Sequence, residues 1–349
     1  MNVISYAGAV KSTDVTGAHV PKWQPTMRDV ARLAGVSAAT VSRVVNNERY
    51  ISSKTREDVE RAIAELGFHR NESARALRPG QATETVALVI EDVANPFWSA
   101  IARGAEEVAR RHRHLLVVGS TGQSYDREAE LLRNLVRRRV DGLLVVPTAH
   151  AQGELHAELS KWAPMVFIDR APTRVSADSV VLDNHGGARD AVGYLIQRGC
   201  RRIAYIGGDP SVGTGARRIA GYKQALKSAG IGYDQKLVRL GNHTVESAEE
   251  TATELLTADL VDAIFADNNR MCVGVLRAAH RHGGAVGIAA FDDLELAELL
   301  PRPVGLVTYD AFKLGAEAAE LLFARIGGAT GPARRVVHRT TLVERGNGR

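Results

Sequence analysis

The spacing of apolar residues changes character near Thr85. Before it, apolar residues recur three or four positions apart, the period of a helix with one buried face. Met27, Val30, Ala31 and Ala34 form one such stripe, Val41, Val44 and Val45 a second, and Val59, Ile63 and Leu66 a third. Local signals divide them. Thr26 with Asp29 three positions on reads as a capping box, Ser37 opens the second helix, and Ser52 or Ser53 opens the third. Gly35 and Gly67 stand where a positive φ ends a helix. A fourth, very short helix is expected from Asn71 to Arg78, stopped by Pro79 and Gly80. Residues 1–25 carry no periodicity and are expected as a disordered tail, which makes Met27 a second candidate translation start.

After Thr85, short apolar runs alternate with longer amphipathic stretches. Strands are expected at 86–91, 115–119, 142–147, 165–169, 202–208, 263–267 and 287–293. Helices are expected at 97–112, 125–138, 185–198, 215–229, 246–257 and 270–281. Near-continuous apolar strands alternating with helices imply buried parallel sheets in a doubly wound α/β architecture.

Composition narrows the class. The chain has 349 residues, enough for two or three domains. Hydrophobic content is 45% and charged content 24%, as in globular proteins. No run of about 18 apolar residues suggests a membrane helix, and no compact apolar h-region marks a secretory signal. Cys200 and Cys272 stand in unrelated contexts, so no disulfide framework is expected and a reducing cytoplasm fits. The net charge is +5, and residues 1–80 hold 12 Lys and Arg against 8 Asp and Glu. Most of the positive excess thus lies at one end, which points to a polyanionic partner there.

A helix, a Gly-containing turn and a second short helix make a helix-turn-helix, whose second helix enters the major groove. Ala38 and Ala39 let the backbone approach closely and offer methyls to thymine. Thr40 and Ser42 suit phosphates or base edges, and Arg43 suits guanine or phosphate. A small helical bundle that binds protein fits the same pattern.

The segment TMRDVARLAGVSAATVSRVVNNERYISSKTREDVERAIAELGFHRNESARAL resembles the DNA-binding headpiece of the lactose-repressor (LacI/GalR) family. VARLAGVSAATVSRVVN and S-x-K-T-R-x-x-V are its sharpest parts. Further landmarks follow in order: NPFW (95–98), RRVDGLLVVP (138–147), FIDR (167–170), RGCRRIAYIGG (198–208), RRIAGYKQAL (217–226) and AFDD (290–293). The likeness covers about residues 26–345. It implies a headpiece at 26–67, a hinge helix and linker at 68–82, and a two-lobed effector-binding and dimerisation body at 83–345. Candidate DNA contacts are Thr26, Ser37, Ala38, Ala39, Thr40, Ser42, Arg43 and Asn46, with Asn71, Ala74 and Leu77 from the hinge. Leu77 would be the wedge that opens the central base step of a near-palindromic operator bound by a homodimer.

The body resembles periplasmic sugar-binding proteins, in which two doubly wound lobes joined by three crossovers hold a ligand in the cleft. Crossovers are expected near Asp183, Thr308 and Gly328. Ligands lie beyond the carboxyl ends of such strands, which nominates Asn95, Phe97, Trp98, Asp126, Asp169, Asn268 and Asp292; the resemblance adds Arg218, which stands three residues before Gly221 where the family has its cleft arginine. An aromatic ring stacks on a sugar's C–H face while polar neighbours grip hydroxyls; Trp98 equally suits a helix core. Asp183-Asn184 is assigned to the crossover. The sequence departs from the family at Asn269, where Asp is usual, and in the short HGGAVGIAAFDD stretch.

An enzyme is not expected. The G-T-G-A-R-R segment at 213–218 lacks a dinucleotide loop's third glycine, and no G-x-S-x-G elbow occurs. His112/His114 and His280/His282 read as solvated, so no metal or cofactor is expected. The reading is a cytoplasmic, nucleoid-associated regulator whose partners are operator DNA, a sugar-like effector and a second copy of itself. A solute-binding module without a DNA role and a constitutive regulator without effector are the alternatives.

Overall fold

The computed structural model describes residues 25–45, 50–68, 83–148, 153–172, 174–211, 213–242 and 244–346. The chain divides into two compact units, residues 1–75 and 76–349.

The first unit contains α1 (Met27–Ala34), α2 (Ala38–Val45) and α3 (Ser53–Leu66). Val30, Ala31, Val41, Val44, Val59 and Ala62 close its small core, with Phe68 beside them. The ends are set by local chemistry. The Thr26 amide and hydroxyl donate to Asp29 at 2.9 and 2.6 Å, which holds that carboxyl below its usual range. Gly35 adopts φ +66°, so the chain turns sharply into α2. Ser37 Oγ accepts from the Thr40 amide at 3.1 Å, and Ser52 Oγ from the Thr55 amide at 3.2 Å. These bonds satisfy helix-end donors left without an intrahelical acceptor. The tail, Asn46 and the hinge candidates Asn71, Ala74 and Leu77 lie outside the described residues.

The second unit holds two six-stranded sheets. One has the order β11-β5-β4-β3-β1-β2, the other β12-β10-β9-β8-β6-β7. The first is built from β1 (Thr85–Ile90), β2 (Leu115–Ser120), β3 (Gly142–Val145), β4 (Met165–Ile168), β5 (Asp178–Leu182) and β11 (Arg335–His338). The second is built from β6 (Ile203–Ile206), β7 (Val238–Arg239), β8 (Ala263–Ala266), β9 (Gly287–Phe291), β10 (Val304–Thr308) and β12 (Thr341–Arg345). All neighbours run parallel except β10 and β12. Helices α4 (Pro96–Arg111), α5 (Tyr125–Arg137), α6 (Gly153–Leu159) and α11 (Ala311–Ile326) belong to the first lobe. Helices α7 (Asn184–Gln197), α8 (Gly213–Ser228), α9 (Val245–Thr257) and α10 (Asn269–His282) belong to the second.

Central strands are apolar on both faces because helices cover both, as in Val86–Ile90 of β1. Helix α4 buries Trp98, Ile101, Ala105 and Val108. It meets α11 so closely that a Cβ on Gly104 would lie 2.0 Å from the Phe312 carbonyl oxygen. Only a residue without a side chain permits that approach.

The chain crosses between sheets at Asp183, after Thr308, and between His338 and Thr341. The last crossing replaces the one expected near Gly328. After α11 the chain first adds β11 as an edge strand on β5. That strand has only two apolar residues, and Val337 is exposed, so its sequence signal is weak. His114 also departs from expectation. It is not solvated: its ring lies edge-on to Phe323 and its Nε2 is 3.2 Å from Asp141. His112 stacks on the same ring at 4.1 Å.

Candidate functional site

Helix α2 shows how the first unit presents chemistry. Val41 and Val44 point into the core, and the opposite side carries Ala38, Ala39 and Arg43, all exposed. Thr40 and Ser42 are half-buried at the edges of that face. Ser37 and Thr40 share a hydroxyl–hydroxyl bond of 2.9 Å. Thr26 is committed to the Asp29 carboxyl at the start of α1. The result is a small-residue helix face with one cation, held by apolar packing from behind.

In the second unit, the carboxyl ends of strands from both lobes meet around a polar cavity of about 100 Å³. Seven of the eight nominated residues line it: Asn95, Phe97, Trp98, Asp169, Arg218, Asn268 and Asp292. Asp126 does not. It sits exposed in the first turn of α5, two residues past the Ser124 that caps that helix. Gln123 from the preceding turn lines the cavity in its place.

Arg218 is the centre of the site. It projects from α8, is 8% exposed, and lies 3.8 Å above the Phe291 ring. Its Nε donates to Asn184 Oδ1 at 2.7 Å and its Nη1 to the Asp267 carbonyl. Burial opposes its charge, but Asp292, Asp267 and Asp169 outweigh that and hold its pKa above the ordinary value. Asn184, assigned from sequence to the crossover, therefore also orients the cleft arginine.

Asp169 and Asp292 end equivalent strands in the two lobes, and both adopt left-handed backbone, with φ of +64° and +73°. Such conformations are strained for a residue with a side chain and recur at functional sites. Asp292 accepts from the Tyr309 hydroxyl, and from the Asn269 amide at 3.2 Å. Asp267 Oδ2 accepts from the Tyr205 hydroxyl at 3.2 Å and the Gly208 amide at 3.1 Å. Burial pushes the carboxyls of Asp169 and Asp267 above their usual range, against the pull of nearby arginines. Asp169 Oδ1 and Asp267 Oδ1 are buried without a hydrogen-bond partner. Buried acceptors of this kind are costly until something donates to them.

Phe97 lies half-buried in the lining, with its ring 4.4 Å from Trp98 and edge-on to Tyr309 at 5.6 Å. Trp98 is 3% exposed, so it serves chiefly as the floor behind Phe97. Two contacts cross between lobes at the rim. Asn269 Nδ2 donates to Asn95 Oδ1 at 2.8 Å, and Asn95 Nδ2 donates back at 3.3 Å. Arg270 reaches Asp92 at 3.2 Å. The unusual Asn269 is therefore half of an interlobe clasp.

Sequence reasoning missed Asp267, Glu91 and Arg170, and named Asn269 only as a departure from the family. Asp267 was within reach, because it ends a predicted strand by the same rule that selected Asp169. Glu91 and Arg170 pair at 2.6 Å from different strands, and no local spacing announces that pairing.

An exposed helix face for a groove and a strained, charged cleft between two lobes define a ligand-responsive DNA-binding regulator. Residues 26–71 match the family described as bacterial regulatory proteins, lacI family, and residues 192–346 match the periplasmic binding protein-like domain. The transcriptional regulator CelR of Thermobifida fusca is 38% identical over 339 residues, covering 93% of this chain and 98% of that protein. A solved CelR–cellobiose complex is 34% identical with a TM-score of 0.69, covering 93% of this chain and all of that one. The lac repressor dimer bound to operator and the anti-inducer ONPF is 25% identical with a TM-score of 0.80, covering 93% and 99%. The chain belongs to the LacI family of transcription regulators, and its activity is regulation of transcription by DNA binding rather than enzymic catalysis.

Proposed function

We propose that the chain represses transcription as a homodimer on a near-palindromic operator, and that a sugar in the cleft sets its operator affinity. In this reading residues 26–67 read DNA, 68–82 form the hinge, and 83–345 bind effector and dimerise. It works in the cytoplasm, on the nucleoid. Ala38, Ala39, Thr40, Ser42 and Arg43 face base edges and phosphates, with Ser37 and Thr26 holding the helix starts and Asn46 joining the DNA contacts. Asn71, Ala74 and Leu77 act in the hinge. The observation that carries the reading is the α2 face: two exposed alanines beside an exposed arginine, fixed from behind by buried Val41 and Val44.

The effector is a sugar because the cleft offers the groups a sugar needs. The Phe97 ring supplies a stacking surface, Arg218 a fixed donor, and Asp169 and Asp267 acceptors in want of hydroxyls. A glucose-type ring is the first candidate, since the related CelR has been solved with cellobiose. Asn95, Trp98, Asn268 and Asp292 complete the binding set. The sugar acts by its differential affinity for two angles between the lobes.

Selection of genomic fragments by the purified chain tests the DNA reading. One near-palindromic motif, bound with log affinity falling steeply against log salt, is expected. Recovery of no motif, with or without cellobiose, sinks it.

A further inference from the structure

The cleft continues beyond the first cavity into a second chamber of about 310 Å³, and the two share Asp169, Arg170 and Thr214. Their chemistry differs. The first chamber carries Phe97 and Trp98 and more carboxylates than guanidinium groups. Among the described residues the second has no Phe, Tyr or Trp, and its one carboxylate there, Asp169, faces Arg170, Arg217 and Arg335.

Its polar groups are placed to receive a ligand. Thr148 is 5% exposed, and its Oγ1 is buried without a partner. The backbone that presents it is fixed, because the Thr148 amide donates to Glu128 Oε2 at 2.7 Å. The other Glu128 oxygen holds His156 Nε2 at 2.6 Å, so that histidine is already engaged. Arg170 donates to Glu91 and to the Pro147 carbonyl, and its Nε makes no hydrogen bond, lying 3.7 Å from Asp169 Oδ2. Arg217 and Arg335 are exposed at the mouth, and neither makes an ion pair among the described residues. Thr214 lies in the first turn of α8, where the helix presents its positive end.

We propose that this chamber takes an oxyanion group, phosphate or carboxylate, carried on the sugar whose ring occupies the first chamber; this rests on the sugar-effector reading above. Guanidinium forks and a helix N-terminus match planar or tetrahedral oxyanions. A second neutral ring would lack an aromatic platform here. Its hydroxyls would meet guanidinium donors with one carboxylate to balance them.

Titration of the full chain with inorganic phosphate, at an ionic strength held constant with chloride, tests the chamber without DNA. Phosphate is expected to raise the thermal transition of the body saturably. The double variant Arg217→Gln/Arg335→Gln is expected to bind it about tenfold more weakly, and Arg217→Lys/Arg335→Lys to recover part of the loss. Both positions are exposed, so the fold tolerates these changes, and Thr148→Val, which removes the buried hydroxyl, gives an independent weakening. Identical phosphate responses in wild type and the glutamine variant, the mark of an adventitious ion only, overturn the proposal. So does no response to phosphate in the wild type. Glucose 6-phosphate, glucuronate and glucose then separate the sources. Tighter binding of the first or second over glucose by about tenfold identifies phosphate or carboxylate, and equal binding of all three overturns the chamber's role. Phosphate failing while cellobiose still shifts operator affinity sinks the oxyanion alone. Phosphate binding while no sugar acts sinks the sugar reading.

Discussion

The proposed DNA-reading helix and the proposed effector cleft solve the problem of presenting polar chemistry in opposite ways. On α2 the functional face is exposed and rests on a separate apolar stripe, Val41 and Val44. In the cleft the functional groups are themselves the buried structure: Arg218 is 8% exposed, and three aspartates balance its charge. Chemistry and stability are therefore separable in the first region and inseparable in the second. The reader's contacts are free to change with the operator, whereas a change in the cleft must keep a charge balance.

Arg218→Met gives the largest effect. It leaves Asp169, Asp267 and Asp292 without their shared cation, and uncompensated buried charge of this kind costs about 3–5 kcal/mol. Calorimetry should show the body's transition falling sharply. A nearly unchanged transition would break the contrast between the regions. Arg43→Ala should behave oppositely. Operator affinity should fall by about 1–3 kcal/mol, read by fluorescence anisotropy, while the body's transition stays in place. Loss of stability with affinity would count against separability.

The clasp provides a smaller effect. Asn269→Ala removes both hydrogen bonds to Asn95, each worth about 1 kcal/mol net. Small-angle scattering of the unliganded protein should show a wider body, and an unchanged profile would deny the clasp a role in closure. The smallest effect is in pH. Asp169 and Asp267 have folded-state pKa values raised by burial above 3.8, so the folded state keeps their protons where the unfolded chain has lost them. Their contribution is fully present below that value and declines as pH rises through the raised folded values. Asp169→Asn/Asp267→Asn should flatten that decline in a plot of transition temperature against pH. A slope equal to wild type would mean neither carboxyl is penalised by burial.

Legibility in the sequence followed the range of the interactions. Helix starts at Thr26, Ser37 and Ser52 were readable because a cap and its partner lie within three residues. Among the central strands, β1, β3, β4, β6, β8 and β9 were readable from continuous apolar runs, whereas β5, which opens on Asp178 and Ser179, and β10, whose run is broken by Gly305, were not. Of the edge strands, β2 was readable from LLVVG, but β11 and β12 each hold only two adjacent apolar residues between polar ones, and β7 is two residues long. The terminal helix α11 was also missed, although its apolar stripe is local, because it follows a strand, Val304–Thr308, that had not been recognised. In the cleft, following strands to their ends located six of the candidates that line it, and the family resemblance located the seventh, Arg218. That rule misplaced Asp126 because a turn intervenes before α5, and it missed pairings such as Glu91 with Arg170, which join residues 79 positions apart.

The link between the two regions is tested most directly by operator affinity measured across titrations with cellobiose and with glucose 6-phosphate at fixed salt. The account predicts a saturable shift in operator affinity, and an equal factor in the sugar's affinity when operator is present, since coupling is reciprocal. An operator affinity that stays constant while calorimetry shows the sugar bound would contradict it.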